Sequence, residues 1–221
     1  VYFMQNHTVD GSLDDTKFGK FLDIITAFIW SYALTNPGVN SLRTPVYAAM
    51  LNIVNGQDVT FSENLFDEER FRSIFANYIF SNRRTVTKAY IAWWAFTFDK
   101  QELLSLESSF DIEHIFPKAR QQKENSLKDS RSIELLGNKS LLEKRINIRA
   151  SDYRFADKKK YYIGFTTSKG EKKATEVVEL IELANKLSDF TENEIKERNN
   201  MILDRFVEYL KANNLLALPN Q

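Results

Sequence analysis

The sequence has 221 residues, 43% of them hydrophobic, which is enough for a folded protein with a substantial core. It contains no cysteine, which excludes disulfides and thiolate metal sites. Its 30 basic and 30 acidic side chains balance, which argues against a general nucleic-acid-binding protein. The lack of cysteine also fits a reducing cytoplasm, where we expect the protein. No apolar run reaches the roughly 18 residues of a membrane span, and we expect no membrane contact. The chain begins with Val1 rather than methionine, and we expect it to be part of a longer protein.

The first hundred residues are predicted to be helical. Apolar side chains recur there at helical spacing, and Asn-Pro-Gly, Asn-Gly, a proline and a serine cap mark helix ends and starts. The four predicted helices cover residues 16–34, 44–54, 62–80 and 83–98.

The pattern changes near residue 105, where we predict a strand that ends before Pro117. A polar loop, a second short strand or hairpin pair, a serine-capped helix and two closing helices follow. These elements are predicted at residues 105–116, 118–132, 133–148, 151–165, 171–187 and 191–214. The expected fold class is mainly α (α+β), a helical bundle that flanks a small β-containing core. The predicted domains are residues 1–104, 105–165 and 166–221.

Positive charge is concentrated in the middle of the chain. From Lys118 to Lys160 there are 13 Lys or Arg residues against 6 acids. A basic segment in a neutral chain indicates either a surface that faces a polyanion such as DNA, or a solvated charged loop.

One of the two histidines, His114, follows Glu113 in the stretch DIEHIFPK. A glutamate binds hard divalent cations, and a histidine takes a proton from water near neutral pH. Together they form a workable arrangement for phosphodiester hydrolysis. Neighbours on a regular strand point to opposite faces, so both reach one site only where the strand ends or bends. Pro117 is consistent with such an ending.

Three motifs in order resemble those of HNH endonucleases, also called ββα-metal or His-Me finger nucleases. They are DIEHIFP, then GNKSLL, then Asn147 before a helix with Phe155 and Lys158. This form is similar to the HNH domains at the C-terminal end of restriction proteins with a ParB-like nucleotide-hydrolysing N-terminal half. Some of that group are modification-dependent, type IV-like enzymes. The resemblance covers residues 111–160 and implies a ββα-metal nuclease core.

The resemblance implies a role for each motif residue. His114 would be the general base, and Glu113 and Asn147 would hold one divalent cation, Mg²⁺ or Mn²⁺. Asn138 would fasten the loop between the strands and hold the His114 backbone. Asp111 would be an outer partner of the cation waters or of the ring. The family often has Asp where Glu113 stands, and the longer side chain would shift the cation slightly.

Contacts with DNA phosphates are expected from Arg145, Arg149, Arg154 and Lys158. The implied partners are DNA and an N-terminal nucleotide-hydrolysing or recognition domain outside this chain. The implied function is a metal-dependent endonuclease that restricts modified or phage DNA.

Simpler interpretations remain open for each residue. His114 is alternatively a buried core histidine, Asn138 a turn residue, and Asn147 a helix-entry residue. Residues 158–160 are alternatively a solvated lysine face. The competing functions are a non-catalytic DNA-binding or regulatory module with an HNH-like fold, and a helical interaction scaffold.

Overall fold

The protein is described here by a computed structural model that covers residues 7–38 and 40–218. In this part of the chain it is mainly helical with short antiparallel strand pairs, which confirms the predicted α+β class. The helices are α1 (Asp15–Thr35), α2 (Arg43–Val54), α3 (Glu68–Asn77), α4 (Thr85–Ala95), α5 (Lys118–Glu124), α6 (Lys144–Ala150), α7 (Phe155–Ile163), α8 (Val178–Lys186) and α9 (Glu192–Ala212). The strands are β1 (Thr8–Val9), β2 (Ser12–Leu13), β3 (Phe110–His114), β4 (Lys139–Glu143), β5 (Phe165–Thr167) and β6 (Gly170–Lys172).

The chain forms two compact units. The first contains the residues up to Tyr78 and those from Leu203 onwards, and the second runs from Ile79 to Ile202. This division differs from the domain boundaries expected after residues 104 and 165, both of which lie inside the second unit. α4 packs against β4, and both belong to the second unit.

The first unit has an aromatic core. Phe28 of α1 stacks on Phe61 with ring centroids 3.7 Å apart, and it also contacts Phe66. Phe71 of α3 stacks on Phe206 of α9 with centroids 5.9 Å apart. All five rings are buried, so this core rests on the apolar periodicity visible in the sequence.

The second unit is built around the β3–β4 hairpin. The two strands pair antiparallel from Phe110 opposite Glu143 to His114 opposite Lys139. β4 is buried along its whole length, including its polar residues Lys139, Ser140 and Glu143. α6 begins directly after β4 and packs against both strands, so the order is strand, strand, helix.

Three local predictions were wrong. The polar loop contains α5, which ends where Asn125 adopts a left-handed conformation with φ 46°. The helix expected from Ser151 begins four residues later, because Ser151 has φ 44° and cannot act as a helical first-turn cap. The third helix begins at Glu68, where the Asp67 side chain accepts from the backbone N–H of Arg70 at 2.7 Å. The β5–β6 hairpin was not predicted.

α9 fastens the loop before β4. The Arg198 guanidinium donates to the carbonyls of Leu136, Gly137 and Lys139, at 3.1, 2.9 and 2.9 Å. Its other face forms a buried ion pair with Glu179 at 2.5 Å. The loop therefore depends on a helix that lies sixty residues further along the chain.

Replacing Gly137 by alanine is expected to destabilise the second unit by about 1–3 kcal/mol or more. A Cβ at this position would lie 2.0 Å from the carbonyl oxygen of Ile195 in α9, which is backbone and cannot move aside. The measurement is the free energy of unfolding in urea. Gly19→Ala is the control, because its Cβ would meet nothing within 4 Å. Being helical, that position should gain up to about 1 kcal/mol. Equal stability of both variants would contradict the close approach of α9.

Candidate active site

Glu113 and His114 are the last two residues of β3, and the hairpin register sends their side chains to opposite faces. Glu113 pairs with Ser140, and His114 pairs with Lys139. β3 ends at His114, so the backbone after this residue need not continue in the direction of the strand. The two side chains therefore lie in two separate clusters.

The carboxylate cluster consists of Glu113, Lys158 and Tyr162. Oε1 of Glu113 accepts from the Lys158 ammonium at 2.5 Å and from the Tyr162 hydroxyl at 2.7 Å. Lys158 and Tyr162 are four residues apart on α7, which brings them to one helix face. Burial, and then the charge of Glu113, raise the pKa of the Tyr162 phenol well above its usual value, so the hydroxyl remains a donor.

Lys158 does not lie on the surface, which corrects the expectation that it grips DNA phosphates. Its side chain is 1% exposed, and its ammonium also donates to the carbonyl of His114 at 2.8 Å. A buried ammonium needs acceptors, and these two take two of its three N–H groups. Lys158 thus joins α7 to the end of β3.

The imidazole cluster consists of His114, Lys139, Glu134 and Asn82. The Lys139 ammonium lies 3.0 Å from Nε2 of His114, 2.7 Å from Oε2 of Glu134 and 2.5 Å from Oδ1 of Asn82. The partly exposed Lys118 donates to the other oxygen of Glu134 at 2.7 Å. Burial lowers the pKa of His114 below its usual value, and the charge of Lys139 adds to this against the opposing pull of Glu134. The neutral imidazole is the form that accepts a proton.

Asn138 is fully buried and holds the chain that follows His114. Its Oδ1 accepts from the N–H of Phe116 at 2.7 Å, and its Nδ2 donates to the carbonyls of Phe116 and Ile133 at 3.0 Å each. Its own carbonyl accepts from the N–H of Ile115 at 3.0 Å. The amide therefore ties together the chain after β3 and the chain before β4.

α6 carries the third motif residue and two of the expected DNA contacts. Asn147 is half-buried, Arg145 is exposed, and Arg149 is half-buried. Arg154 precedes α7 and pairs with Glu124 at 3.1 Å, with 61% of its side chain exposed. Asp111 is exposed, two residues before Glu113, and so lies on the same face of β3. The hairpin and α6 thus carry Glu113, His114 and Asn147 on packed elements.

Carboxylate and amide oxygens are donor types that hard divalent cations accept. Within residues 7–38 and 40–218, neither Oε2 of Glu113 nor the Asn147 side chain makes a hydrogen bond to protein, and Glu113 is only 3% exposed. No group of three His, Asp or Glu side chains able to hold a metal occurs among these residues. A cation here would rest on one carboxylate oxygen, one amide oxygen, waters and phosphate, which suits Mg²⁺.

Sequence reasoning missed four residues of the two clusters: Asn82, Glu134, Lys139 and Tyr162. A signal existed for Tyr162, which lies one helical turn after Lys158. Lys139 follows Asn138 in an apolar strand, and a lysine in such a strand needs a buried acceptor. No signal pointed to Asn82 or Glu134, because both reach the site through tertiary packing.

Comparison with known proteins gives one match. Residues 66–205 match the family model described as GmrSD restriction endonucleases, C-terminal domain, and this segment is more than half of the chain. No curated protein and no solved structure matches the sequence. No helix in the described part of the chain is long and apolar enough to cross a membrane.

Proposed function

The chain belongs to the family of GmrSD restriction endonuclease C-terminal domains, and from this premise we propose that it is a metal-dependent DNA-cleaving unit of the HNH type. It would hydrolyse phosphodiester bonds in the restriction of modified or phage DNA. A part that recognises DNA and hydrolyses nucleotides would act together with it.

One observation carries this proposal. A glutamate and a neutral, part-buried histidine end β3, β4 pairs with that strand, and α6 with Asn147 follows and packs on both. The buried amide of Asn138 fixes the backbone directly after the histidine. The order of two paired strands and a helix is the one expected for HNH motifs, and it supports the proposal.

Each residue has a defined task in this account. His114 accepts a proton from the water that attacks phosphorus, which makes the water a better nucleophile. Glu113 is held by Lys158 and Tyr162 through Oε1, which orients Oε2 and the strand end. Asn138 keeps the histidine backbone in one position, because its amide has no alternative partners in a fully buried site.

Glu113 and Asn147 are the residues that would hold the cation. When bound, a divalent cation neutralises negative charge on the phosphate and the leaving oxygen. The positive charge of Lys158 beside Glu113 should weaken cation affinity, so we expect binding that strengthens when phosphate is present.

A plasmid assay tests this proposal. The chain should convert supercoiled plasmid into open-circular or linear DNA in Mg²⁺, and removal of the cation by EDTA should stop the reaction reversibly. Unchanged plasmid at every divalent cation and salt concentration, with a folded protein that still binds DNA, would contradict it.

A second function is favoured by one contact, the buried ion pair between Glu113 and Lys158. If this pair is purely structural, the chain is a DNA-binding module with an HNH-like fold. The plasmid assay separates the two functions, because this module would retard plasmid in a gel without cutting it.

Arg145→Ala is expected to weaken DNA binding several-fold and to reduce the salt dependence of binding by about one phosphate contact. Arg145 is exposed on α6, two residues before Asn147. The measurement is fluorescence anisotropy of a labelled duplex over a salt series. Lys20→Ala, which removes an exposed cation from α1, is the control. It should leave unchanged the slope of the logarithm of DNA affinity against the logarithm of salt concentration. Equal slopes for both variants would remove α6 from the DNA surface.

A further inference from the structure

The loop between α6 and α7 carries an exposed aromatic ring, that of Tyr153. This ring stacks on the ring of Tyr161, with centroids 6.1 Å apart and planes inclined by 4°. Tyr153 is nevertheless 48% exposed, so much of its side chain is left to solvent. A tyrosine that is backed by a second ring and still exposed offers apolar surface to a flat ligand.

The support of this ring is formed by neighbouring elements. The Tyr161 ring meets the Phe165 ring of β5 edge-on, with centroids 5.2 Å apart and planes at 89°. The Lys160 ammonium lies 5.3 Å from the centroid of the same Tyr161 ring. The backbone N–H of Tyr153 donates to the carbonyl of Ala150 at 3.3 Å, which closes a turn directly after α6. The Tyr153 ring therefore rests on packed side chains before any ligand binds.

The charges around the two rings are mostly positive. Residues 149–160 contain five Lys or Arg and two Asp. One of these acids, Asp152, is paired with Lys123 at 3.2 Å. Within residues 7–38 and 40–218, Arg149 and Lys160 form no ion pair with a carboxylate. Aromatic rings flanked by cations that no protein acid neutralises match the alternation of base and phosphate along a nucleic-acid strand.

Arg149 is the cation best placed for phosphate. It lies on α6, one residue before the turn that places Tyr153, and it is half-buried. Its guanidinium makes no hydrogen bond to the described residues. A guanidinium presents two parallel N–H groups that match two oxygens of a phosphate.

We propose that Tyr153, backed by Tyr161, is a stacking platform for one unpaired base of DNA, and that Arg149 binds a phosphate of the same strand. This rests on the proposed function, in which the chain acts on DNA. It goes further by naming the form of the substrate, which is DNA with a base out of the duplex stack. In a regular duplex both faces of a base are covered by its neighbours, so an aromatic platform reaches only a base that has left the stack.

The position of the platform fits this substrate. The turn at Tyr153 joins α6, which carries Asn147, to α7, which carries Lys158. Both helices thus hold residues of the candidate active site as well as the two ends of this loop. A base held on Tyr153 would fix the strand beside the proposed site of cleavage.

The test is the fluorescence of 2-aminopurine, a base analogue whose emission is quenched when it stacks on a ring. The analogue is placed in a single-stranded gap of a duplex, and the full chain is added in EDTA so that no strand is cut. We expect the wild-type chain to quench the gap base. A base analogue inside the intact duplex should keep its emission. DNA that binds without quenching of the gap base would overturn the proposal.

Tyr153→Ala should abolish the quenching and weaken binding of the gapped DNA by about 5- to 100-fold, the usual effect of losing one stacked base. Tyr153→Phe and Tyr153→Trp should stay within about twofold of the wild type, because both keep an aromatic face. An unchanged affinity and quench in Tyr153→Ala would contradict the platform, and melting curves should show that this exposed position leaves the chain folded.

Tyr47→Ala is the matched control. Tyr47 is 62% exposed, lies on α2 in the first unit, and should be removed without effect on DNA binding. Arg149→Ala should reduce the salt dependence of binding by about one phosphate contact, whereas Tyr153→Ala should leave that dependence unchanged. Equal losses of affinity in Tyr47→Ala and Tyr153→Ala would show that the effect does not belong to this platform.

The binding measurements are independent of cleavage. A chain that quenches the gap base but cuts no plasmid in Mg²⁺ refutes the nuclease and leaves the platform. A chain that cuts plasmid without quenching the base refutes the platform and leaves the nuclease.

Discussion

Replacing His114 by alanine is expected to lower DNA cleavage by about 10²–10⁴-fold, which is the usual contribution of a general base. In the proposed function the imidazole at the end of β3 is the proton acceptor, and burial lowers its pKa, which favours the neutral form that accepts. The measurement is the single-turnover rate of plasmid nicking in Mg²⁺ at saturating protein, which separates the chemical step from DNA binding.

The control for this variant is the only other histidine. His7 lies in the first unit, so His7→Ala should retain cleavage. Circular dichroism and melting should show that His114→Ala is folded, and its DNA affinity should equal that of the wild type. A cleavage rate within twofold of the wild type would exclude His114 as the base.

Replacing Asn138 by alanine is expected to destabilise the second unit by about 3 kcal/mol or more. The change leaves one N–H and two carbonyls without partners in a fully buried site, and each such group costs about 1–3 kcal/mol. Because these groups belong to Phe116 and Ile133, the loop after His114 also loses its fixed position. Urea unfolding measures the effect.

Asn147→Ala is the matched control, since it removes the same side chain from a half-buried position on α6. Its amide makes no hydrogen bond to the described residues, so stability should change by less than about 0.5 kcal/mol. Cleavage in limiting Mg²⁺ should nevertheless fall, because Asn147 is a cation ligand in the proposed function. Equal stability losses in the two variants would show that Asn138 has no special structural role.

The sequence predicts the helices and the order of the site motifs because those depend on local pattern. Apolar spacing predicts α1 and α2 nearly to the residue. The box-like start at Thr191 also appears, since the Glu194 carboxylate accepts from the backbone N–H of Thr191 at 2.7 Å. The paired strands follow from two short runs around DIEHIF and KSLLE.

The contacts that determine chemistry are non-local and escape such patterns. Lys158 falls on a motif position that suggests a phosphate contact, yet packing of α7 against the hairpin buries it on Glu113. The Lys139 ammonium donates to Glu134 and Asn82, which lie far from it in the sequence or on another element. Arg198 donates to the backbone carbonyl of Lys139 and so holds the start of β4 in place. Such side-chain contacts depend on the tertiary structure. The periodicity of apolar residues in a sequence predicts helices and strands but not these contacts.

The central claim is tested most directly by crystals of the protein soaked in Mn²⁺, with anomalous scattering used to locate the cation. One ion is expected, bound by Oε2 of Glu113 and by the amide oxygen of Asn147. An ion bound elsewhere while the protein still cleaves DNA, or Glu113 bound only by Lys158 at saturating Mn²⁺, would contradict it.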